Sequence, residues 1–410
     1  MPTRDVVLAG HLLDSLLLSK LLDQLTTLGV DAEVVEAAVG SRREDATTVT
    51  LRLIADDAEA MAAAEATLGR HGFGDAAEAA EAHLVLAPAD GVFPEQFYAT
   101  TNLPTRVRHD GRWWEVVPME MDCGLVWLDD HFACVPVAEV RGESPVVVGE
   151  QGVAVAPVRR RGAAEPFAFM ASDASVEEPK GARIRAVAAR CRATHEAGRE
   201  ILWVAGPAVV HTGGGDALAR LVEAGWVDRL YTGNALAVHD IEEALYGTAL
   251  GKETATDHPT DGGHCHHLRA INRIRAAGSI AAACESGLLT RGVMHACWRK
   301  GVPLLLAGSI RDDGPLPDTI TDVMQAQAAM RAGLTRVGMC IMVATTLHGI
   351  AVGNLLPATC EVVMVDINPA VVTKLADRGT SQGAGLVTDA AYFLAALADE
   401  LAGAPSARGG

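Results

Sequence analysis

The second half of this sequence is a series of short apolar runs separated by longer stretches of helical pattern, and that leaves few folds open. From Pro179 onward the runs are Ile201–Ala205, Arg229–Tyr231, Pro303–Ala307, Val337–Val343, Glu361–Val365 and Gly385–Thr388. Each is apolar at nearly every position instead of at alternate ones. That suits strands covered on both faces. Strands of this kind, each followed by a helix, build a mostly parallel, doubly wound sheet. The predicted fold class is α/β.

The first 170 residues read differently. Residues 1–90 form a small α/β domain. Leu16, Leu17, Leu21, Leu22 and Leu25 make one helical stripe within Asp14–Leu28. TTVTLRLI, from Thr47 to Ile54, alternates like a strand. Asp57–His71 is rich in Ala and Glu and is predicted helical. Ala82–Leu86 is predicted as a second strand. Residues 91–170 form a β-rich subdomain, with a hairpin at VRHDGRWWEVV turned by Asp110-Gly111. CGLVWL, PVVVGEQG and VAVAPV add short strands. Arg159–Lys180, rich in charge, Ala and Pro, is the linker candidate. The sheet domain covers residues 176–402, and residues 403–410 are expected to be a disordered tail.

The chain has 410 residues, with 34 basic against 52 acidic side chains and a net charge of −18. Such an acidic surface disfavours nucleic acid and anionic membrane as main partners. No apolar run reaches the length that crosses a bilayer, and no signal pattern opens the chain. The eight Cys are scattered, without a CxxC pair, which fits a reducing cytoplasm. The segment GGHCHH (262–267) is the one plausible metal motif. Adjacent residues seldom converge on one tetrahedral ion, so a helix start lining a site is expected and no metal.

In doubly wound sheets ligands bind beyond the carboxyl ends of the strands. After the first strand comes GPAVVHTGGG. Its glycines and the following helix start suit an anion. It is neither GxGxxG nor a P-loop, so a plain glycine-rich turn stays open. After the second strand, Asn234 offers a donor and an acceptor, and Ala235 leaves room for a flat ring. His239 and Asp240 follow as catalytic candidates, with helix capping an equal alternative for Asp240. After the third, Arg311 beside Asp312 and Asp313 suits a carboxylate clamp with a proton-accepting acid, or else a salt-bridged turn. After the fourth, Thr345, Thr346 and Leu347 precede His348, which lines the site or is a satisfied core histidine. After the fifth, Asp366 suits a ribose diol and would repel a 2′-phosphate, while Asn368 suits a helix cap. The last strand ends in Thr388, Asp389 and Ala390. Polar residues at so many strand ends on one edge point to a dinucleotide.

Together, GPAVVHTGG, TGNALAVHDIE, AGSIRDDGPLPD, TTLHGIAVGNLLPA and VDINPAVVTKLADRG resemble the family named for a region shared with lysine-oxoglutarate reductase and saccharopine dehydrogenase (LOR/SDH). GHLLDSLLLSKLLD, FYATTNLPT and MEMDCG are similar to its leading domain, so the likeness runs from about Gly10 to Leu401. The family includes archaeal-type ornithine cyclodeaminases and the C-terminal part of cyanobacterial arginine-guanidine-removing enzymes. The resemblance implies a Rossmann-like C-terminal domain that binds NAD, and conversion of L-ornithine to L-proline and ammonia. It implies cofactor contacts at Asn234, Ala235, Asp313, Thr345, Thr346, Leu347, His348, Asp366, Asp389 and Ala390. It also implies a homo-oligomer, and a stand-alone enzyme, since no arginine-dihydrolase domain precedes the shared region.

In that reaction the hydride leaves the α-carbon of ornithine, the ring closes with loss of ammonia, and the cyclic imine takes the hydride back. Arg311 is the first candidate for the α-carboxylate and Arg106 the second. Asp312, Glu120 and Asp122 are candidates for moving protons. Cys123 either lines the substrate site or packs. Lys374 is expected to be solvated, which disfavours a covalent lysine mechanism. The competing readings are an opine- or saccharopine-type dehydrogenase and an NAD-sensing protein without turnover.

Overall fold

The computed structural model describes residues 2–10, 17–38, 47–70, 73, 80–156, 180–249, 252–253, 265–312, 314–377 and 383–402. The linker candidate 159–180 (apart from Lys180), the tail 403–410, Asp313 and the start of GGHCHH lie outside the described residues. The chain divides into two units, Met1–Ala168 and Phe169–Gly410.

The first unit opens with β1 (Thr3–Gly10), α1 (Leu17–Thr27), β2 (Val30–Ala38), β3 (Thr47–Ala55) and α2 (Ala58–Arg70). The strands form an antiparallel sheet in the order β1-β3-β2. Alternation on β3 works as expected: Thr47, Val49, Leu51, Leu53 and Ala55 are buried, and the residues between them half-buried. Leu21 and Leu25 of α1 and Leu68 of α2 pack into the same apolar core. β1 and β2 were not expected. β2 is an edge strand exposed along most of its length, so its composition is too polar for an alternating pattern to stand out.

The rest of this unit is β-rich. It contains β4 (His83–Leu86), β5 (Thr105–His109), β6 (Arg112–Glu115), β7 (Gly124–Leu128), β8 (His131–Val135), β9 (Pro145–Val148) and β10 (Val153–Val155). They pair as β4-β9-β7-β8 and β10-β5-β6. The strand expected at Ala82–Leu86 therefore belongs with β9, not with the first sheet, and this second sheet begins before position 90. The hairpin tip has Asp110 at φ 54° and Gly111 at φ 75°, the left-handed pair that a two-residue turn of matching twist requires.

The second unit runs α3 (Lys180–Glu196), β11 (Glu200–Ala205), α4 (Ala208–His211), α5 (Gly215–Glu223), β12 (Arg229–Gly233), α6 (Asn234–Tyr246), β13 (Thr248–Ala249), β14 (Lys252–Glu253), α7 (His266–Ala277), α8 (Ile280–Glu285), α9 (Val293–Lys300), β15 (Leu304–Ala307), β16 (Thr319–Ile320), α10 (Val323–Ala332), β17 (Val337–Val343), α11 (Leu347–Leu355), β18 (Glu361–Asp366), α12 (Pro369–Asp377), β19 (Gly383–Val387) and α13 (Ala390–Leu401). Seven strands form one sheet in the order β16-β15-β12-β11-β17-β18-β19. Every pair in it is parallel. The chain steps outward from β11 to β16, then returns to the other side of β11 and steps outward again. The reversal between β11 and β17 is the switch point at which doubly wound sheets open a crevice. β11 is buried along its whole length, as its uninterrupted apolar run requires.

Asp240 resolves as a cap, though not of its own helix. It projects from α6, and its carboxylate accepts hydrogen bonds from Val293 N (2.7 Å) and Met294 N (2.8 Å), the first residues of α9. Gly292 makes room for it: a Cβ there would lie 2.9 Å from each carboxylate oxygen, and its φ is +95°. Burial pushes the Asp240 carboxyl up from 3.8 to about 7, against the pull of the two amides. An acid raised in this way binds its proton more readily in the folded state. Its contribution therefore falls as pH rises from about 4 to about 7. Asp240→Asn should cost about 1–3 kcal/mol, through the loss of one of two acceptors in a buried place. Urea unfolding of this variant should also depend less steeply on pH across that window; an unchanged slope would remove Asp240 as its source.

Candidate functional site

The candidate site lies at the carboxyl ends of the parallel strands, centred on the switch point. Gly206 follows β11 and Ala344 follows β17. A Cβ on Gly206 would lie 1.9 Å from the Ala344 carbonyl oxygen, so only glycine lets these two strand ends close to this distance. Ala344 takes φ 49°, uncommon for a residue with a side chain, and turns the chain sharply. Gly206 N still donates to Val343 O (2.9 Å) and Ala344 N to Val365 O (2.8 Å), which ties the turn to the sheet. α5 and α11 start on this edge behind Gly214 and Thr346, neither of which caps its helix with a side chain. Their first N–H groups and the positive ends of their dipoles suit an anion.

The strand-end residues take distinct places around this point. Asn234 is the first residue of α6 and is buried. Its Oδ1 accepts from Leu316 N (2.9 Å) and Thr319 Oγ1 (3.1 Å), which anchors the far end of the loop after β15. Ala235 beside it is half-buried. In that loop Asp312 Oδ2 accepts from Ser309 N (2.8 Å), so among the described residues the turn is closed by a backbone bond and not by an Arg311 ion pair. Arg311 is exposed. Thr345 is buried, Thr346 half-buried and Leu347 71% exposed. His348 reaches across to the end of β12, where a Cβ on Gly233 would lie 2.8 Å from its Cε1. Burial lowers the His348 pKa against the opposing charge of Asp312, which favours the neutral ring.

At the next strand end the two acceptors divide the work. Asn368 Oδ1 takes Ala370 N (3.0 Å) and caps α12, while Asp366 Oδ1 takes Asn368 N (2.8 Å). The second Asp366 oxygen has no partner among the described residues. Asp389 Oδ1 accepts from Tyr392 N (2.9 Å) and caps α13, which begins at buried Ala390. Just before it, Thr388 Oγ1 is buried with no hydrogen-bond partner among the described residues, a polar atom open to a ligand.

The candidates in the first unit sit in a separate arrangement. Thr100 Oγ1 donates to Glu120 O (2.6 Å) and accepts from Cys123 N (3.0 Å), joining FYATTN to MEMDCG. Glu120 is 5% exposed, Asp122 exposed at φ 61°, and Cys123 1% exposed among Tyr98, Val107, Leu125 and Phe132. Cys123 thus packs in an apolar core. Arg106 lies over the Trp113 ring at 5.5 Å.

His239, a candidate from the sequence, belongs to a cluster whose members the sequence did not link. His239 Nδ1 pairs with Glu242 Oε2 (3.1 Å), and Thr248 Oγ1 donates to Glu242 Oε1 (3.0 Å). The same hydroxyl meets His266 Nδ1 (2.9 Å), and the His211 ring packs edge-on against His239 with centroids 4.5 Å apart. Only the i, i+3 spacing of His239 and Glu242 was visible in the sequence. His266 thus meets Thr248, and among the described residues no group of three or more His, Cys, Asp or Glu could hold a metal.

Residues 185–397 match the family model for the ArgZ-like arginine dihydrolase C-terminal region with a Rossmann fold. Residues 104–184 match the first region of the same C-terminal part, and residues 3–103 the conserved region of LOR/SDH bifunctional enzymes. Over 399 residues the chain is 46% identical to a Methanopyrus kandleri protein named ornithine cyclodeaminase, covering 97% of this chain and 96% of that one. The crystal structure of cyanobacterial ArgZ without ligand superposes with a TM-score of 0.81 at 33% identity, over 98% of this chain and 58% of that one. The structure of AgrE in ternary complex with ornithine and NAD+ matches over the same shares, with a TM-score of 0.52 at 37% identity.

Gly206→Ala should wedge the two strand ends apart. Titration calorimetry should show dinucleotide binding weakened at least about tenfold, roughly 1.4 kcal/mol, with a lower melting temperature. Wild-type affinity in this variant would mean that the closure does not shape the site.

Proposed function

Because this chain belongs to the ArgZ-like, LOR/SDH-region family, we propose that it is an NAD-dependent ornithine cyclodeaminase that converts L-ornithine to L-proline and ammonia. The observation that carries this reading is the match to an archaeal ornithine cyclodeaminase across 97% of this chain, which takes in both units. The AgrE complex with ornithine and NAD+ supports the cofactor and the substrate class.

The residues at the switch point fit NAD. The close backbone approach at Gly206, the starts of α5 and α11 without side-chain caps and the Thr388 hydroxyl, unpartnered among the described residues, all suit a pyrophosphate and its ribose. The open Asp366 oxygen suits a ribose diol and would repel a 2′-phosphate, which favours NAD over NADP. Asn234 and Ala235 hold the edge of β12, Thr345 to His348 that of β17, and Asp389 and Ala390 that of β19. Bound NAD supplies a hydride acceptor that is regenerated within the turnover.

The rest of the reaction falls to the chain. Arg311 is assigned to the α-carboxylate, because its guanidinium is exposed beside the site while Asp312 bonds to backbone instead. Of the acidic candidates for proton movement, Asp312 is held by Ser309 N, and Glu120 and Asp122 belong to the first unit, so none of them is given the main proton transfer. Cys123, buried in its core, is left with a packing role. A homo-oligomer serving proline formation in the cytoplasm completes the proposal and rests on family likeness.

Incubation of ornithine with catalytic NAD should yield proline and ammonia in equal amounts without net NADH. Absence of proline at saturating NAD would sink the reading, and stoichiometric NADH would favour a dehydrogenase. Asp366→Ala should weaken NAD binding about tenfold and narrow the preference over NADP; unchanged affinity would take Asp366 out of the site.

A further inference from the structure

The reaction needs a group that takes a proton from one amine and returns one to the nitrogen that leaves. On the amine an N–H bond breaks and its electron pair stays on nitrogen. The proton then resides on the protein until the leaving nitrogen claims it. No oxidant or co-reactant enters this exchange. Near neutral pH it suits an imidazole held by a carboxylate.

The cluster on α6 has that form, and hydrogen-bond valence sets its protons. An ionised carboxylate only accepts, so Glu242 Oε2 at 3.1 Å requires the proton on His239 Nδ1. The Thr248 hydroxyl gives its single proton to Glu242 Oε1 (3.0 Å), so it must accept from His266 Nδ1 (2.9 Å). His239 is thereby held in one tautomer with Nε2 left as acceptor. Glu242 is fully buried and the His239 side chain is 10% exposed, so the pair is screened little by water. His211, exposed at the end of α4, packs edge-on against the His239 ring. Burial, then the neighbouring imidazole, push His211 down to about 4, so it stays neutral at working pH.

Position ties the cluster to the site. α4 begins two residues after Gly206, and α6 begins at Asn234 on the same edge. By helical rise His239 stands about 8 Å along α6 from Asn234. Of the nearby carboxylates, Asp240 caps α9, and Glu243 and Asp216 lie close enough to Asp240 for their charge to raise its pKa.

We propose that His239, oriented by Glu242 and Thr248, is the group that takes and returns the amine proton, with His211 as its outer neighbour. This rests on the ornithine reading above. Glu242 and Thr248 are positioning residues, and the second His of GGHCHH closes the chain behind them.

The test compares kcat, KM, NAD binding and ring-nitrogen NMR. His239→Asn should lower kcat about 100-fold or more, leave KM and NAD affinity within twofold, and abolish the ascending limb of the pH–rate profile. Added imidazole should partly restore His239→Gly. Glu242→Gln should lower kcat less and release the fixed tautomer of His239 in 15N spectra. A His239→Asn enzyme within threefold of the unaltered protein, with the same pH profile, would overturn the proposal. If the variants fail to fold, or if the unaltered protein forms no proline, the spectra of the unaltered protein decide. An Nδ1-protonated His239 whose ring signals shift when ornithine is added upholds the assignment; an Nε2-protonated or unresponsive ring ends it. Failure of proline formation alone removes the ornithine reading and leaves this outcome to be read separately.

Discussion

The closing of two strand ends at Gly206 and Ala344 is the constraint around which the second unit is arranged. A parallel sheet that reverses its strand order must leave a crevice at the reversal. How far that crevice opens depends on what the first residue past each strand carries. Here one of them has no side chain, and the carbonyl of the other occupies the space a Cβ would need. The unusual φ of Ala344 follows from the same closure. With the backbones this close, the amides after β11 and the start of α11 come to one edge.

Buried polar bonds hold the elements around this point. Asn234 secures the long loop after β15 to the start of α6, which carries Arg311 and Asp312 past the end of the sheet. One helical face further on, Asp240 fixes α6 to the start of α9. On either side of Asp240, His239 and Glu242 pair with one another through Nδ1 and Oε2. A single helix thus carries a loop anchor, a proton-holding pair and a helix cap, spaced so that each side chain leaves on a different bearing.

The fold of the second unit was legible because its strands are covered on both faces, and such strands need no alternation to be found. β18 and β17 were placed within a residue of where they lie. The first unit was harder. β3 stood out because it is the central strand with one face in the core, whereas β2, exposed on its edge, carries no pattern that burial would impose. β4 was found as a strand but grouped with the small α/β domain, since its pairing depends on β9 some sixty residues later.

For the site, the sequence by itself determined the chemistry available at each strand end: an amide at 234, an acid at 366, hydroxyls at 345 and 346, an arginine at 311. It also determined the family, through long matched segments. Only the tertiary structure decided which of those groups are already used. Asp389 and Asp240 are caps, Asp312 closes a turn, and Asp366 keeps one oxygen open. Spacing along the chain reports which side chains share a face, but not which backbone N–H arrives from a distant element to claim a carboxylate. That is set by how the helices pack, and it is why His239 and Glu242 emerge as a buried pair only when β13 and α7 are folded against them.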